Sequence, residues 1–277
     1  DEAERYYKKS ADKGHVKSQY RLAYLYDEKN FNEDAIEYYL KAIDSNYTMA
    51  KFRLGNLYNR QNTIESAKLY YDLACNDSMV EAKNNFAGLY FEEKNYEKAI
   101  KYYEEAIVDG CKVALENLGD LYYQTKDYQK AISYYLRNST SVSCQKKLAD
   151  IYMEAENTDE AIIWYKKASN NEDIESSYKL GLIYEDLNNL EDAKKYYLLA
   201  AKKNHLNSKL HLGRIYYNEG NYEESKKMLD VCANENNAYA QHMVGLIYEN
   251  YYSDHTNAKY WYEKSKNQGL VESISNL

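Results

Sequence analysis

One tyrosine recurs along the whole chain, at Tyr26, Tyr58, Tyr90, Tyr122, Tyr152, Tyr184, Tyr216 and Tyr248, in steps of 32 residues broken once by a step of 30. A small residue keeps the same beat at Ala35, Ala67, Ala99, Ala131, Ala161, Ala193, Ser225 and Ala258. Two registers held over eight cycles confine the chain to one kind of solution, a row of identical structural units that stack on one another. Within a unit the period is helical. Ala82, Phe86, Leu89 and Tyr90 share one stripe, and Tyr96, Ala99, Ile100, Tyr103, Ala106 and Ile107 share a second, the spacing of amphipathic helices. Lys94-Asn95 separates the two stripes and Asp109-Gly110 follows the second. Each unit is therefore predicted to be a helix hairpin that cannot bury its own apolar faces and needs a copy on either side.

Fixed positions have fixed jobs. The residue after the apolar residue that stands four before each recurring tyrosine is always Gly or Ala: Ala23, Gly55, Ala87, Gly119, Ala149, Gly181, Gly213 and Gly245. Small residues on facing helices let two backbones approach. A mid-helix Gly costs roughly 1 kcal/mol relative to Ala, so its recurrence implies a packing gain. Gly14, Asn46, Gly110, Asn204, Asn236 and Gly269 share the position after the second helix, where a left-handed cap is expected.

The frame Leu54, Gly55, Tyr58, Ala67, Tyr71, Ala74 resembles the tetratricopeptide repeat. The link Ser10 to His15 with Ser18, Gln19 and Leu22, and the closing Trp261 to Ser265 with Gln268-Gly269, resemble Sel1-like repeats. The link from Ala74 to Phe86 is two residues shorter than in a tetratricopeptide array. The resemblance implies an all-α fold, a right-handed α/α superhelical solenoid of about eight 32-residue helix-turn-helix repeats. It also implies a protein-binding scaffold.

The expected layout over residues 1–277 is one repeat domain. A half repeat occupies 1–13, repeats one to four 16–137, repeats five to eight 138–269, and a ninth first helix starts in 270–277 with Leu277 as its core residue. Because both ends cut through a repeat, the chain is read as a fragment of a longer protein. The register slips at Asn138-Ser139-Thr140-Ser141, where Ala would continue the helix. Ser, Thr and Asn favour caps and turns, so the fourth second helix should end a turn early, with a local kink. Met228-Leu229 replaces an aromatic pair, and the turn at Ser253–Asn257 carries one extra residue.

Prolines are absent and the net charge is −8, which disfavours nucleic acid as a partner because phosphate binding needs a basic stripe. No apolar run approaches a membrane span, and the compartment stays open. Cys75, Cys111, Cys144 and Cys232 form no C-x-x-C pair, and no metal or other cofactor is implied. Of 35 tyrosines, 22 fall at the three repeat positions of Tyr90, Tyr102 and Tyr103, so they read as packing. No nucleophile, base or phosphate-loop pattern appears, and an enzyme is not expected.

In tetratricopeptide arrays the first helices line a concave groove. Ligand contacts there come from one and two residues before the frame's apolar residue and from two, five and six after it. Mapped here, the position just before it reads Arg21, Arg53, Asn85, Asn117, Lys147, Lys179 and His211, with Met243 last. Such a row of donors can clamp an extended backbone. Repeats one and two set Lys17, Arg21, Arg53 and Arg60 against Asp27 and Glu28. Repeats three to six set Lys146, Lys147 and Lys179 against Glu81, Glu92, Glu116, Asp120, Asp150, Glu154, Glu175, Glu185 and Asp186. The groove is thus basic at its start and acidic in its middle. The expected ligand is a protein or peptide segment with an acidic end near repeats one and two and a basic middle. Arg21, Arg53 and Arg60 with Asn56 form the candidate anion site, and Tyr20, Tyr24, Phe52 and Phe91 the apolar walls. Asn85, Asn117, Asp120, Lys147, Asp150 and Lys179 continue the groove. Two other classes fit the same residues: the peptide-sensing half of a larger regulator, and a structural spacer with an empty groove.

Overall fold

The computed structural model describes residues 2–270. Among them seventeen α-helices run in order, with no strand. The first, α1 (Glu2–Ala11), is the half repeat. Four hairpins follow: α2 (Val16–Glu28) with α3 (Asn32–Asp44), α4 (Thr48–Arg60) with α5 (Ile64–Asn76), α6 (Val80–Glu92) with α7 (Tyr96–Val108), and α8 (Lys112–Gln124) with α9 (Tyr128–Arg137). Four more are α10 (Val142–Glu154) with α11 (Thr158–Asn170), α12 (Ile174–Asp186) with α13 (Leu190–Lys202), α14 (Leu206–Asn218) with α15 (Tyr222–Asn234), and α16 (Ala238–Asn250) with α17 (His255–Lys266). This is the all-α solenoid of helix-turn-helix repeats that the registers imply. The chain divides into two compact units, Asp1–Asn138 and Ser139–Leu277. The ninth first helix expected at residues 270–277 lies outside the described residues.

The turns follow from local chemistry. Asn95, Asp127, Asn157, Asn189, Asn221 and Asp254 each stand just before a second helix, and each side-chain oxygen accepts the backbone N–H three residues on. That satisfies one of the donors a helix start leaves unpaired. Left-handed residues close the helices, at Gly14, Asn46, Gly110, Asn204, Asn236 and Gly269 as expected. Lys94, Lys126, Glu156 and Glu172 take the same conformation, although their side chains do not favour it. There the geometry of the stack overrides residue preference.

The early stop of α9 is also present: it has 10 residues where the second helices of the other full hairpins have 12 or 13. Elsewhere the link residue donates its N–H back to the second helix across five residues, as in Tyr47 to Ala42, Met79 to Ala74, Cys111 to Ala106 and His205 to Ala200. Among the described residues, the closure after α9 comes from Asn138 N–H alone, to Tyr135 O and Leu136 O, and no residue of 138–141 is left-handed.

The core of each hairpin is a contact between small and large. Ala35, Ala67, Ala99, Ala131, Ala161 and Ala193 are completely buried, as are the frame residues Leu22, Leu54, Leu118, Leu148, Leu180 and Leu212. The second-helix tyrosines Tyr39, Tyr71, Tyr135, Tyr197 and Tyr262 lie among the largest fully buried side chains. Burying each such ring stabilises the fold by roughly 1.5–3 kcal/mol. The tyrosine one position earlier pairs with the tyrosine of the repeating register: Tyr58 with Tyr70, Tyr90 with Tyr102, Tyr122 with Tyr134, and Tyr184 with Tyr196, their rings stacked 5.5–5.7 Å apart.

Two measurements test this account. A Cβ on Gly55 would lie 2.7 Å from Tyr71 Cδ1, whereas one on Gly88 meets nothing nearer than 3.7 Å. Gly55→Ala is expected to destabilise by about 1–3 kcal/mol through overpacking, and Gly88→Ala to stabilise by about 0.5–1 kcal/mol through helix propensity. Urea unfolding of the two variants distinguishes them, and equal signs would refute the close-approach role of the glycine register. In hydrogen exchange, the amides of residues 139–141 should exchange faster than those of residues 45–47 or 109–111, for want of the closing bonds. Equal protection would show that the slip is locally silent.

Candidate functional site

Within each unit the first helices form the inner layer. Successive ones touch directly, α2 with α4 and α6 with α8 in the first unit, and α12 with α14 in the second. Neighbouring second helices show no packing of that extent among the described residues. The donor row before the frame residue lies on this inner layer, where it meets the helix of the preceding repeat.

In the first unit the side chains form a linked series. Asn56 Oδ1 accepts from Tyr71 Oη at 2.7 Å and from Asn85 Nδ2 at 2.9 Å. Asn84 donates to Asn85 at 3.2 Å, and Asn117 donates to Asn84 at 2.9 Å. Four amides on α4, α6 and α8 are therefore joined. Burial pushes Tyr71 up to about 12, so its hydroxyl stays a donor at any physiological pH. Asp120 accepts from Tyr135 Oη at 2.6 Å. Asp27, only 5% exposed, accepts from Tyr39 and pairs with Arg60. Arg60 is thus committed to a carboxylate of its own chain.

The two remaining arginines differ. Arg53 lies over the Tyr24 ring at 4.9 Å, and its buried Nε has no hydrogen-bond acceptor. Arg21 is exposed, one repeat away in the same register. Tyr20 is buried against Tyr47 and Tyr39, with ring centroids at 5.0 and 6.1 Å, so its ring fills the hairpin. Phe52 packs on Tyr71 and Phe91 on Tyr96, both half-buried.

The second unit repeats the pattern with charged groups. Lys179 Nζ lies 2.6 Å from Asp150, which also accepts from Tyr165. Lys147 is half-buried in the same register. Sequence reasoning missed the most connected cluster. Glu185 accepts from Tyr197 Oη at 2.8 Å, from His211 Nδ1 at 3.0 Å, and pairs with Arg214. Tyr178 lies 4.6 Å from the His205 ring and 5.9 Å from that of His211. The signal that pointed here was His211 in the donor row. Its acceptor could not be read, because Glu185 is 26 residues away.

Burial holds the His211 pKa below its ordinary 6.5. Glu185 pulls the other way but is already shared with Arg214 and Tyr197, so burial prevails. The unfolded chain then binds the proton more readily than the folded one. This contribution to stability is present above pH 6.5 and is lost as pH falls through the lower folded value. His211→Gln should therefore flatten the decline in unfolding free energy between neutral and mildly acidic pH. An unaltered slope would remove His211 from that decline.

The geometry defines a class before a family: helix hairpins stacked so that inner helices present one polar position per repeat make an α/α repeat protein. Residues 20–84 and 85–138 match one tetratricopeptide repeat model, and 147–170, 174–202 and 206–236 match another. Residues 1–15 and 238–270 match the Sel1 repeat. The chain belongs to the tetratricopeptide repeat family, with Sel1 repeats in its first and last matched segments. No curated protein matches it. Among solved structures it is similar to c5321, a protective antigen of uropathogenic Escherichia coli strains with an SLR fold (19% identity, TM-score 0.69, covering 99% of this chain and 66% of that one). It is also similar to a Sel1 repeat protein from Oxalobacter formigenes (18%, TM-score 0.65, 98% and 89%) and to Pseudomonas aeruginosa pilF (22%, TM-score 0.55, 77% and 96%). The chain spans just under two thirds of the first of these. At such identities the likeness establishes the fold. Tetratricopeptide and Sel1 repeats generally mediate protein–protein interaction and are generally non-catalytic. None of the helices among the described residues is long and apolar enough to cross a membrane.

Proposed function

We propose that this chain is a scaffold that holds an extended peptide or protein segment along its inner helices. The segment's acidic group or free carboxylate sits at Arg21 and Arg53, and its basic residues run along repeats three to six. The observation that carries the reading is Arg53: a guanidinium stacked on Tyr24 whose buried Nε lacks an acceptor. A buried unpaired donor costs about 1–3 kcal/mol, and a ligand carboxylate would supply the missing acceptor. Arg60 contributes less to this site than formal charge suggests, because Asp27 already neutralises it. Asn85, Asn117 and Asn56 offer the amide hydrogens left over from their own series to a backbone, and Asp120, Asp150, Lys147 and Lys179 set charge along the path.

The test uses the intact chain and its Arg21→Ala and Arg53→Ala variants as parallel baits in a lysate of the native host. Captured proteins are identified by mass spectrometry, and the shared segment is synthesised and titrated. A charge-assisted hydrogen bond is worth roughly 1.5–3 kcal/mol, so Arg53→Ala should weaken binding about tenfold or more at moderate salt. Unchanged affinity for both variants, with helicity intact, would overturn the anion site.

A further inference from the structure

Seven of the eight hairpins turn with two residues between the last helical residue and the cap of the second helix: Lys29-Asn30, Gln61-Asn62, Glu93-Lys94, Thr125-Lys126, Ala155-Glu156, Leu187-Asn188 and Glu219-Gly220. The eighth uses three, Tyr251-Tyr252-Ser253. In a repeat protein every unit solves the same packing problem, so a longer turn with two tyrosines is not required by the stack. Both are well exposed, at 47% and 40%. They do not stand alone. Tyr251 lies 4.9 Å from Tyr252 and 5.0 Å from Tyr222 on α15, and Tyr222 lies 5.3 Å from Tyr217 on α14, edge to face. Four rings from two repeats thus make one continuous aromatic platform on the turn side of the second unit.

The charge around the platform has one dominant sign. Glu219, Glu223, Glu249 and Asp254 flank it in sequence and Tyr252 Oη donates to Glu223 at 3.1 Å. Lys194 pairs with Glu219 at 2.7 Å, and Lys226 is held by Asp230 at 2.6 Å. Elsewhere this chain covers its aromatic faces with its own cations: Lys98 over Tyr90, Lys130 over Tyr122, Lys166 over Tyr184, Lys226 over Tyr248 and Lys264 over Trp261. Among the described residues, no Lys or Arg lies over Tyr217, Tyr222, Tyr251 or Tyr252. Tyr217 and Tyr222 are half-buried against the core, whereas the exposed rings of Tyr251 and Tyr252, negative at the centre and bordered by carboxylates, leave π surface open to a cation from outside.

We infer that this platform is a docking surface for a Lys- or Arg-rich segment of a partner protein, whose cationic heads stack on the tyrosine rings while the bordering carboxylates attract them. Apart from Tyr217 and Glu249, its residues lie off the groove positions, so it stands or falls independently of the groove reading. The probe is a short fluorescein-labelled peptide of alternating arginine and glycine, titrated by anisotropy against the full chain at physiological salt. The Tyr251→Ala/Tyr252→Ala variant leaves net charge unchanged and should weaken binding about five- to tenfold, since each exposed cation–π contact contributes a few-fold. Tyr251→Phe/Tyr252→Phe, which keeps the rings, should bind like the parent. Three results would overturn the inference: no binding to the parent chain, equal affinity of the alanine variant, or equal binding of a peptide with citrulline in place of arginine. Equal affinity would reduce the attraction to the chain's overall acidity, and the citrulline result would make the platform a surface for uncharged segments.

Discussion

In four of the eight repeats the packing turns on one contact: a second-helix tyrosine pressed against a glycine in the middle of the first helix. At Gly55 the Tyr71 ring occupies the space a Cβ would take, and Tyr135, Tyr197 and Tyr262 do the same at Gly119, Gly181 and Gly245. The ring is buried, yet its hydroxyl is not stranded. Passing beside a residue with no side chain, it reaches the inner layer and binds a polar residue there: Asn56, Asp120, Glu185 and Glu249 in these four repeats. One side chain therefore sets the helix spacing and orients a polar group on the inner helices. Where Leu229 replaces tyrosine against Gly213, the packing survives and the hydroxyl is lost. Ser225 instead bonds the Gly213 carbonyl at 2.7 Å.

This coupling explains what could be read from the sequence and what could not. Packing repeats with the period, so the Tyr90 and Ala99 registers, the hairpin boundaries, the early end of α9 and most caps follow from spacing and residue type. Polar pairing between neighbouring repeats does not repeat in the same way. Arg60 meets Asp27, Lys179 meets Asp150 and Asn117 meets Asn84 across separations of 29 to 33 residues; Lys179 and Asn117 share a donor position, yet all three acceptors stand at different positions of the repeat. Two helices placed side by side offer several such pairings. Only their three-dimensional offset chooses among them. The left-handed Lys94 and Glu156 were hidden for a related reason, since the turn geometry is imposed by the stack rather than by the residue in it.

Internal pairing also changes how the charge pattern is to be read. A formal count along the groove makes repeats three to six strongly acidic, but Asp150 is neutralised by Lys179, whereas Asp120, bonded to an un-ionised tyrosine hydroxyl, keeps its charge. At physiological ionic strength, screening acts over about 8 Å, so a neutralised pair contributes little beyond its neighbours. The field along the inner helices is then set by groups that are not neutralised within the chain, which leaves the basic character of the first two repeats to Lys17, Arg21 and Arg53 and takes Arg60 out of it.

The same reasoning separates two kinds of tyrosine that composition counts together. Tyr39, Tyr71, Tyr135, Tyr165, Tyr197 and Tyr262 of the Tyr103 register are buried with the hydroxyl on a polar acceptor, so their removal is a matter of stability. Tyr217 and Tyr222 pack against the core and against each other, Tyr222 meets Tyr251, and Tyr251 and Tyr252 meet each other and keep much of their surface in water. A ring stacked on another ring gains roughly 0.5–1.5 kcal/mol beyond its buried area, a small return for exposing so much aromatic surface at a turn that seven other repeats build from two residues without a tyrosine. The departure from the repeat is therefore more informative than the repeat itself: in a periodic chain, a position that breaks the period without improving the packing is where a constraint other than folding is acting.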